Sequence, residues 1–258
     1  MKPRSKGITI LICLALLLIH VVIARTAILQ KNGVYDEPLH SVAGWLVKEC
    51  GDYRIDKEDG ALFLWYGALA LNDESLRVSK TNTTLTRVTD DHMQQWPFVV
   101  SALFKTQRVD GDAVIQRSRL MFLPITFALG AMIALLAYQL AGSLAAVIAT
   151  TLYALDPNFL GHGAIVKNDV MLSLFMLLLS IVMWRVTRRV TIWNVITAGL
   201  ICGGAVCVKF SGLLFGPMMI LALVVRVTRK DPWRWLNRSA GTASSRMTVA
   251  AVACAVAI

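Results

Sequence analysis

ITILICLALLLIHVVIA, residues 8–24, followed shortly by YDEPLH, residues 35–40, decides how the chain is read. Apart from Thr9 and His20 the first stretch is apolar, and Lys2, Arg4 and Lys6 precede it. About 20 such residues span a bilayer as an α-helix, because backbone N–H and C=O groups find no water there and must bond within the helix. The basic start belongs on the cytoplasmic side. Val22-Ile23-Ala24 would suit signal cleavage, but the run exceeds a signal core and further membrane segments follow. The reading is therefore a cytoplasmic start over 1–7 and an uncleaved first helix over 8–29. His20 is expected to pack against a neighbouring helix rather than to bind a ligand.

Composition agrees with this. Hydrophobic residues make up 56% of the 258, and the mean hydropathy of +0.61 describes a polytopic all-α integral membrane protein. The net charge of +10 raises the question of nucleic acid, but its distribution excludes it. Only Asp156, Asp169 and Asp231 among the acids lie outside residues 30–119, and the bases elsewhere flank apolar runs, as membrane topology requires. The five cysteines have no metal-ligand spacing and signal no disulfide framework.

Residues 30–119 then emerge on the extracytoplasmic side as a large first loop, too long and polar for a connector. Trp45 to Val47 and Leu62 to Leu69 suggest two amphipathic helices at the interface, where Trp and Tyr settle well. Asn72 to Asp91 reads as an exposed loop, with a glycosylation triplet at Asn82-Thr83-Thr84. Apolar runs resume at Leu120 to Tyr138, Leu144 to Leu155, Val170 to Trp184, Trp193 to Val208 and Leu213 to Val227. Helices two to six thus occupy 120–227, with a tight turn at Ala141-Gly142-Ser143. A basic cytoplasmic loop covers 228–247, and a last apolar run starts near Val249 within 248–258. About ten residues do not cross a bilayer, so the natural protein is expected to be longer, or the reading frame to be truncated.

This topology puts Asp36, Glu37, His162, Asp169 and Lys209 near one extracytoplasmic surface. Each has a plainer reading. Asp36 before Glu37-Pro38 suits a helix N-cap with proline in the first turn, Asn168 and Asp169 could cap another helix, and Lys209 could snorkel to the interface. His40 shares a helical face with Asp36. A divalent metal held with His162 and Asp169 is conceivable, but no ligand spacing signals one and no cofactor is assigned.

Asp36-Glu37-Pro38-Leu39-His40 with Gly51-Asp52-Tyr53-Arg54, then Leu155-Asp156-Pro157-Asn158 with His162-Gly163 and Asn168-Asp169-Val170, then Val208-Lys209-Phe210-Ser211-Gly212, form an ordered series. It resembles the amino-terminal half of a GT-C glycosyltransferase, of the protein O-mannosyltransferase branch and its bacterial relatives, from about Lys6 to Arg226. The chain departs from that pattern at Asp59-Gly60-Ala61, where members carry a His or Pro pair, and at Asn168, where they carry a Thr. These departures bear on acceptor or sugar specificity.

The resemblance implies a GT-C-like bundle that moves a hexose, mannose or similar, from a polyprenyl-phosphate donor to an extracytoplasmic hydroxyl of a protein, lipid or glycan. The leaving phosphate departs as a stable anion, so the reaction needs a base for the acceptor and cations for the phosphate. Asp36 is the candidate base, Glu37 positions it or the acceptor, and Asp169 binds the acceptor or braces the site. Lys209 is the candidate for the lipid phosphate, with Arg117 and Arg119 as alternatives and His40 and His162 as further binding residues. One base attacking in line inverts the anomeric centre. A bacterial plasma membrane is the expected location. The alternatives are a transporter, or a truncated lipid-phosphate-binding protein that is inactive or partner-dependent. No internal repeat supports the transporter, and the acids sit at helix ends rather than the bilayer midplane.

Overall fold

The computed structural model of the chain describes residues 3–78, 85, 87, 88, 91–236 and 238–257, so the Asn82-Thr83-Thr84 triplet lies outside the described residues. Lys6–Leu29, Gly111–Leu155, Asn168–Arg188 and Phe210–Thr228 are long and apolar enough to cross a membrane, and Ile192–Val208 is a shorter apolar helix. The architecture is a multi-spanning helical bundle. It comprises two compact units, Met1–Leu174 and Phe175–Ile258.

In the first unit, helix α1 (Pro3–Leu29) lies along α6 (Phe122–Leu155). α6 folds back on itself at Gly142, whose φ of 83° and ψ of −164° fall in a region essentially restricted to glycine. This is the tight turn expected at 141–143. The two arms run antiparallel: the Tyr153 hydroxyl donates to the Thr126 carbonyl at 2.6 Å, and Ala134 and Ala146 meet Cys13 of α1 in one cluster. His20 is fully buried between the arms, with Nδ1 3.0 Å from the Ala154 carbonyl and Nε2 3.0 Å from Thr126 Oγ1. It is a packed residue.

Between α1 and α6 the chain builds a small helical subdomain. Helix α2 (Glu37–Trp45) continues into a π-turn at Leu46–Cys50, followed by α3 (Ala61–Gly67), α4 (Gln95–Val100), a second π-turn at Ser101–Lys105, and α5 (Gly111–Leu120). α2 crosses α3 at Gly44, where a Cβ would stand 2.4 Å from the Leu64 carbonyl oxygen. Two expectations change here. Trp45, Leu46, Phe63 and Leu64 are buried, so these helices face each other as well as any interface, leaving Trp65 and Leu69 exposed. Asn72 to Asp91 is not simply an exposed loop, because Leu76, Leu85 and Val88 are each only 1% exposed. Isolated apolar residues in a polar segment carry no periodicity and are easily missed. Short helix α7 (Pro157–His162) then leads to α8 (Asn168–Arg188).

The second unit holds the rest of α8, α9 (Ile192–Val208), a 3₁₀ turn at Phe210–Leu214, α10 (Phe215–Thr228) and α11 (Ala243–Ala257). The last helix begins at Ala243, ahead of the expected Val249. Inside the expected basic loop the chain forms two strands, β2 (Trp233–Trp235) and β3 (Arg238–Ala240), paired antiparallel, and β2 also pairs in parallel with β1 (Arg189–Val190), which follows α8. Trp233-Arg234-Trp235 is a short apolar-polar alternation that reads as strand once Trp233 is seen to be fully buried.

Candidate active site

The acidic pair sits where the chain leaves α1 and enters α2, and its two members have opposite fates. Glu37 is 1% exposed and accepts four hydrogen bonds. Arg119 Nε and Val166 N donate to Oε1 at 2.9 and 2.8 Å, and Arg119 Nη2 and Val34 N donate to Oε2 at 2.5 and 2.8 Å. Arg119, fully buried near the end of α5, directs its remaining N–H groups to the carbonyls of Ile28, Lys31 and Asn32 at 2.9, 3.0 and 2.9 Å. A guanidinium has five N–H donors, and all are engaged. The pair therefore clamps the end of α1, the entry to α2, the end of α5 and the 163–167 loop together.

Asp36 is at the N-cap position of α2, but its side chain makes no capping hydrogen bond. Its carboxylate lies 3.5 Å from the Lys167 ammonium, the two side chains being 38% and 32% exposed. Lys167 is placed there by its neighbour Val166, whose N–H is held by Glu37. By contrast Asp156, before Pro157, is an ordinary cap, accepting from the N–H groups of Asn158 and Phe159 at 2.8 and 3.2 Å. Asp52 and Arg54 pair with each other at 2.6 Å, and the guanidinium hydrogen bond holds the Asp52 carboxyl below its usual value.

One turn along α2, buried His40 directs Nδ1 at Asp56 Oδ2, 2.7 Å away, with Asp59 Oδ2 at 3.4 Å. Asp56 adopts a left-handed backbone (φ 56°), which aspartate tolerates better than most residues, and its N–H donates to Gln95 Oε1 at 3.2 Å. Asn168 donates to Asp59 Oδ1, which ties the start of α8 to this cluster. Burial pushes the His40 imidazole down, but its hydrogen bond to Asp56 and the charges of Asp56, Asp59 and Asp36 outweigh this and hold it above its ordinary value. Stability from a raised histidine is fully present below the unfolded value, about 6.5, and is lost as pH rises through the folded one. The melting temperature of the detergent-solubilised protein is thus expected to fall as pH rises from 6.5, and His40→Gln to flatten that slope. An unchanged slope in His40→Gln would assign the pH dependence to another group.

His40, Asp56 and Asp59 are also the described residues whose ligand atoms converge, within 4.8 Å of one another, as a divalent cation would need. A cation there would replace the proton on Nδ1. His162 and Asp169, the partners expected for His40, are not in this group: both are exposed. Asp169 stands in the first turn of α8. Arg117 is exposed, one residue from the buried Ser118 and two from Arg119. Lys209 belongs to the second unit. It ends α9 with its N–H on the Ala205 carbonyl at 3.0 Å, and its side chain is half-buried.

Sequence reasoning missed Lys167 and Asp56 as site residues, and noted Asp59 and Asn168 only as departures bearing on specificity, Asn168 also as a helix cap. Lys167 had a signal, a lone cation next to the noted Asn168-Asp169. Asp56 and Asp59 had none, since they reach His40 only through the irregular fold of residues 51–60.

The family described as dolichyl-phosphate-mannose-protein mannosyltransferase matches residues 104–257. No curated protein and no solved structure matches the chain. The family match corrects the expectation that the likeness is to an amino-terminal half laid over Lys6 to Arg226: it falls on the carboxy-terminal portion of the chain. Arg117, Arg119, His162, Lys167, Asn168, Asp169 and Lys209 lie within the matched residues; Asp36, Glu37, His40, Asp56 and Asp59 lie before them.

Proposed function

The chain belongs to the dolichyl-phosphate-mannose-protein mannosyltransferase family, and from that premise we propose that it transfers mannose or a similar hexose from a polyprenyl-phosphate carrier to a hydroxyl acceptor, with Asp36 as general base. The observation that carries this reading is the division of labour between adjacent acids. Glu37 is saturated and holds the frame, while Asp36 is half-exposed, caps nothing and stands beside a cation. A base must reach the acceptor proton, and an uncommitted carboxylate on a rigid frame can do so. Lys167, 3.5 Å from that carboxylate, supplies positive charge where the phosphate oxygen would leave.

In this proposal Arg119 acts through Glu37 as a positioning residue, and His40 with Asp56 and Asp59 fixes the helix face that carries Asp36. Asp169 and His162 are both exposed, and in this reading they contribute to acceptor binding. The reading of Lys209 and Arg117 as lipid-phosphate ligands rests on the resemblance alone. The topology that goes with it places 1–7 and 228–247 in the cytoplasm, 30–119 outside, and the chain in a bacterial plasma membrane.

The test is a transfer assay in membranes containing the protein, with polyprenyl-phosphate [14C]mannose and a Ser/Thr peptide or a lipid acceptor. Label is expected to move to an acceptor from the lipid donor and not from a nucleotide sugar supplied without the lipid. Transfer from the nucleotide sugar alone would sink the proposal.

A further inference from the structure

The second unit carries a feature that glycosyl transfer does not use. At the end of the unit where α8 and α10 stop and α9 and α11 start, the three-stranded sheet presents arginines in register. Arg189 of β1 stands opposite Arg234 of β2, and Arg238 lies on β3. All three are exposed, and with Pro232, Leu236 and Ser239 they line a cavity of about 670 Å³ to which, among the described residues, no carboxylate contributes. Arg189 gives one N–H to the Leu236 carbonyl at 3.1 Å; among the described residues Arg234 and Arg238 have no side-chain partner.

Membrane topology alone calls for bases at such an end, but bases scattered along a loop would satisfy it. It does not call for two arginines directly opposite on paired strands, where like charges repel. Nor is the platform accidental. Two further arginines, each 8% exposed, are committed to building it. Arg226 donates to the carbonyls of Thr187, Asp231 and Pro232 and lies over the Trp233 ring, and Arg246 donates to those of Val227, Lys230 and Gly241. The buried arginines fix the sheet, and the exposed ones are left facing the cavity.

A second cavity, of about 590 Å³, adjoins the first across Leu236, Arg238 and Ser239. Its other walls are Trp235, Ala240, Ser245, Thr248 and Val249, so it runs along α11. We propose that this pair of cavities binds one anionic phospholipid. Its phosphate sits among Arg189, Arg234 and Arg238, whose planar donor forks match phosphate oxygens, and its chain enters the cleft beside Trp235 and Val249.

Native mass spectrometry of the whole protein, released from detergent with equal phosphatidylglycerol and phosphatidylcholine, tests this. One phosphatidylglycerol is expected to survive activation that strips phosphatidylcholine. The triple variant R189Q/R234Q/R238Q should lose at least about tenfold of that retention, and R189K/R234K/R238K, which keeps the charges but not the planar forks, should fall between it and the unaltered protein. Equal retention of both lipids by the unaltered protein, or unchanged phosphatidylglycerol in the glutamine variant, overturns the site. Displacement of the lipid by millimolar inorganic pyrophosphate would make it a free-phosphate site and overturn the lipid assignment. Should the glutamine variant fail to fold, the two-lipid comparison and the lysine variant decide alone.

Discussion

Asp36→Asn is expected to abolish transfer while leaving the fold intact. Loss of a general base costs about 10² to 10⁴ in rate. Asparagine retains the size of the side chain, and no capping bond is lost, because the aspartate makes none. The change in stability should stay within about 0.5 kcal/mol, as for a half-exposed position with one screened ion pair. A plain helix cap would behave in the opposite way: asparagine would cap equally well and spare activity, while Asp36→Ala would cost about 1 kcal/mol and still spare activity. Transfer rate and melting temperature measured on the same preparation separate the two. Full activity in Asp36→Asn would remove it as the base.

The largest stability effect belongs to Arg119. Its removal leaves the Glu37 carboxylate buried without its counter-charge and three carbonyls, those of Ile28, Lys31 and Asn32, without their donor. Breaking one side of a buried ion pair typically costs about 3–5 kcal/mol, because the surviving charge cannot be rehydrated. Arg119→Ala is therefore expected to lower the melting temperature strongly and to lose transfer with it, since Val166 and Lys167 are placed through Glu37. Replacing both partners at once, Glu37→Leu with Arg119→Met, should cost less in stability than Arg119→Ala alone. A double-mutant cycle with no coupling between positions 37 and 119 would show that the clamp is not what holds the subdomain.

The sequence made the membrane helices legible because hydropathy is a local property, and the turn at Gly142 was legible because Ala141-Gly142-Ser143 separates two apolar runs. It also pointed to Asp36 and Glu37, but not to which of them is buried. That depends on Arg119, 82 residues later, and on a backbone N–H 129 residues away. Local spacing carries no information at such distances. Arg119 was read as a candidate phosphate ligand for the same reason, and only its five engaged donors reveal a framework role. The Asp56–His40–Asp59 cluster was illegible because residues 51–60 follow neither helical nor strand periodicity. The strands at 233–235 and 238–240 were hidden by the arginines around them, which topology already explained.

The anomeric configuration of the transferred sugar tests the central claim most directly, because one base acting on the acceptor permits a single displacement. Proton NMR of the product should give the configuration opposite to that of the donor. Retention would require a covalent glycosyl intermediate or a second displacement, and would contradict Asp36 as the base of a one-step transfer.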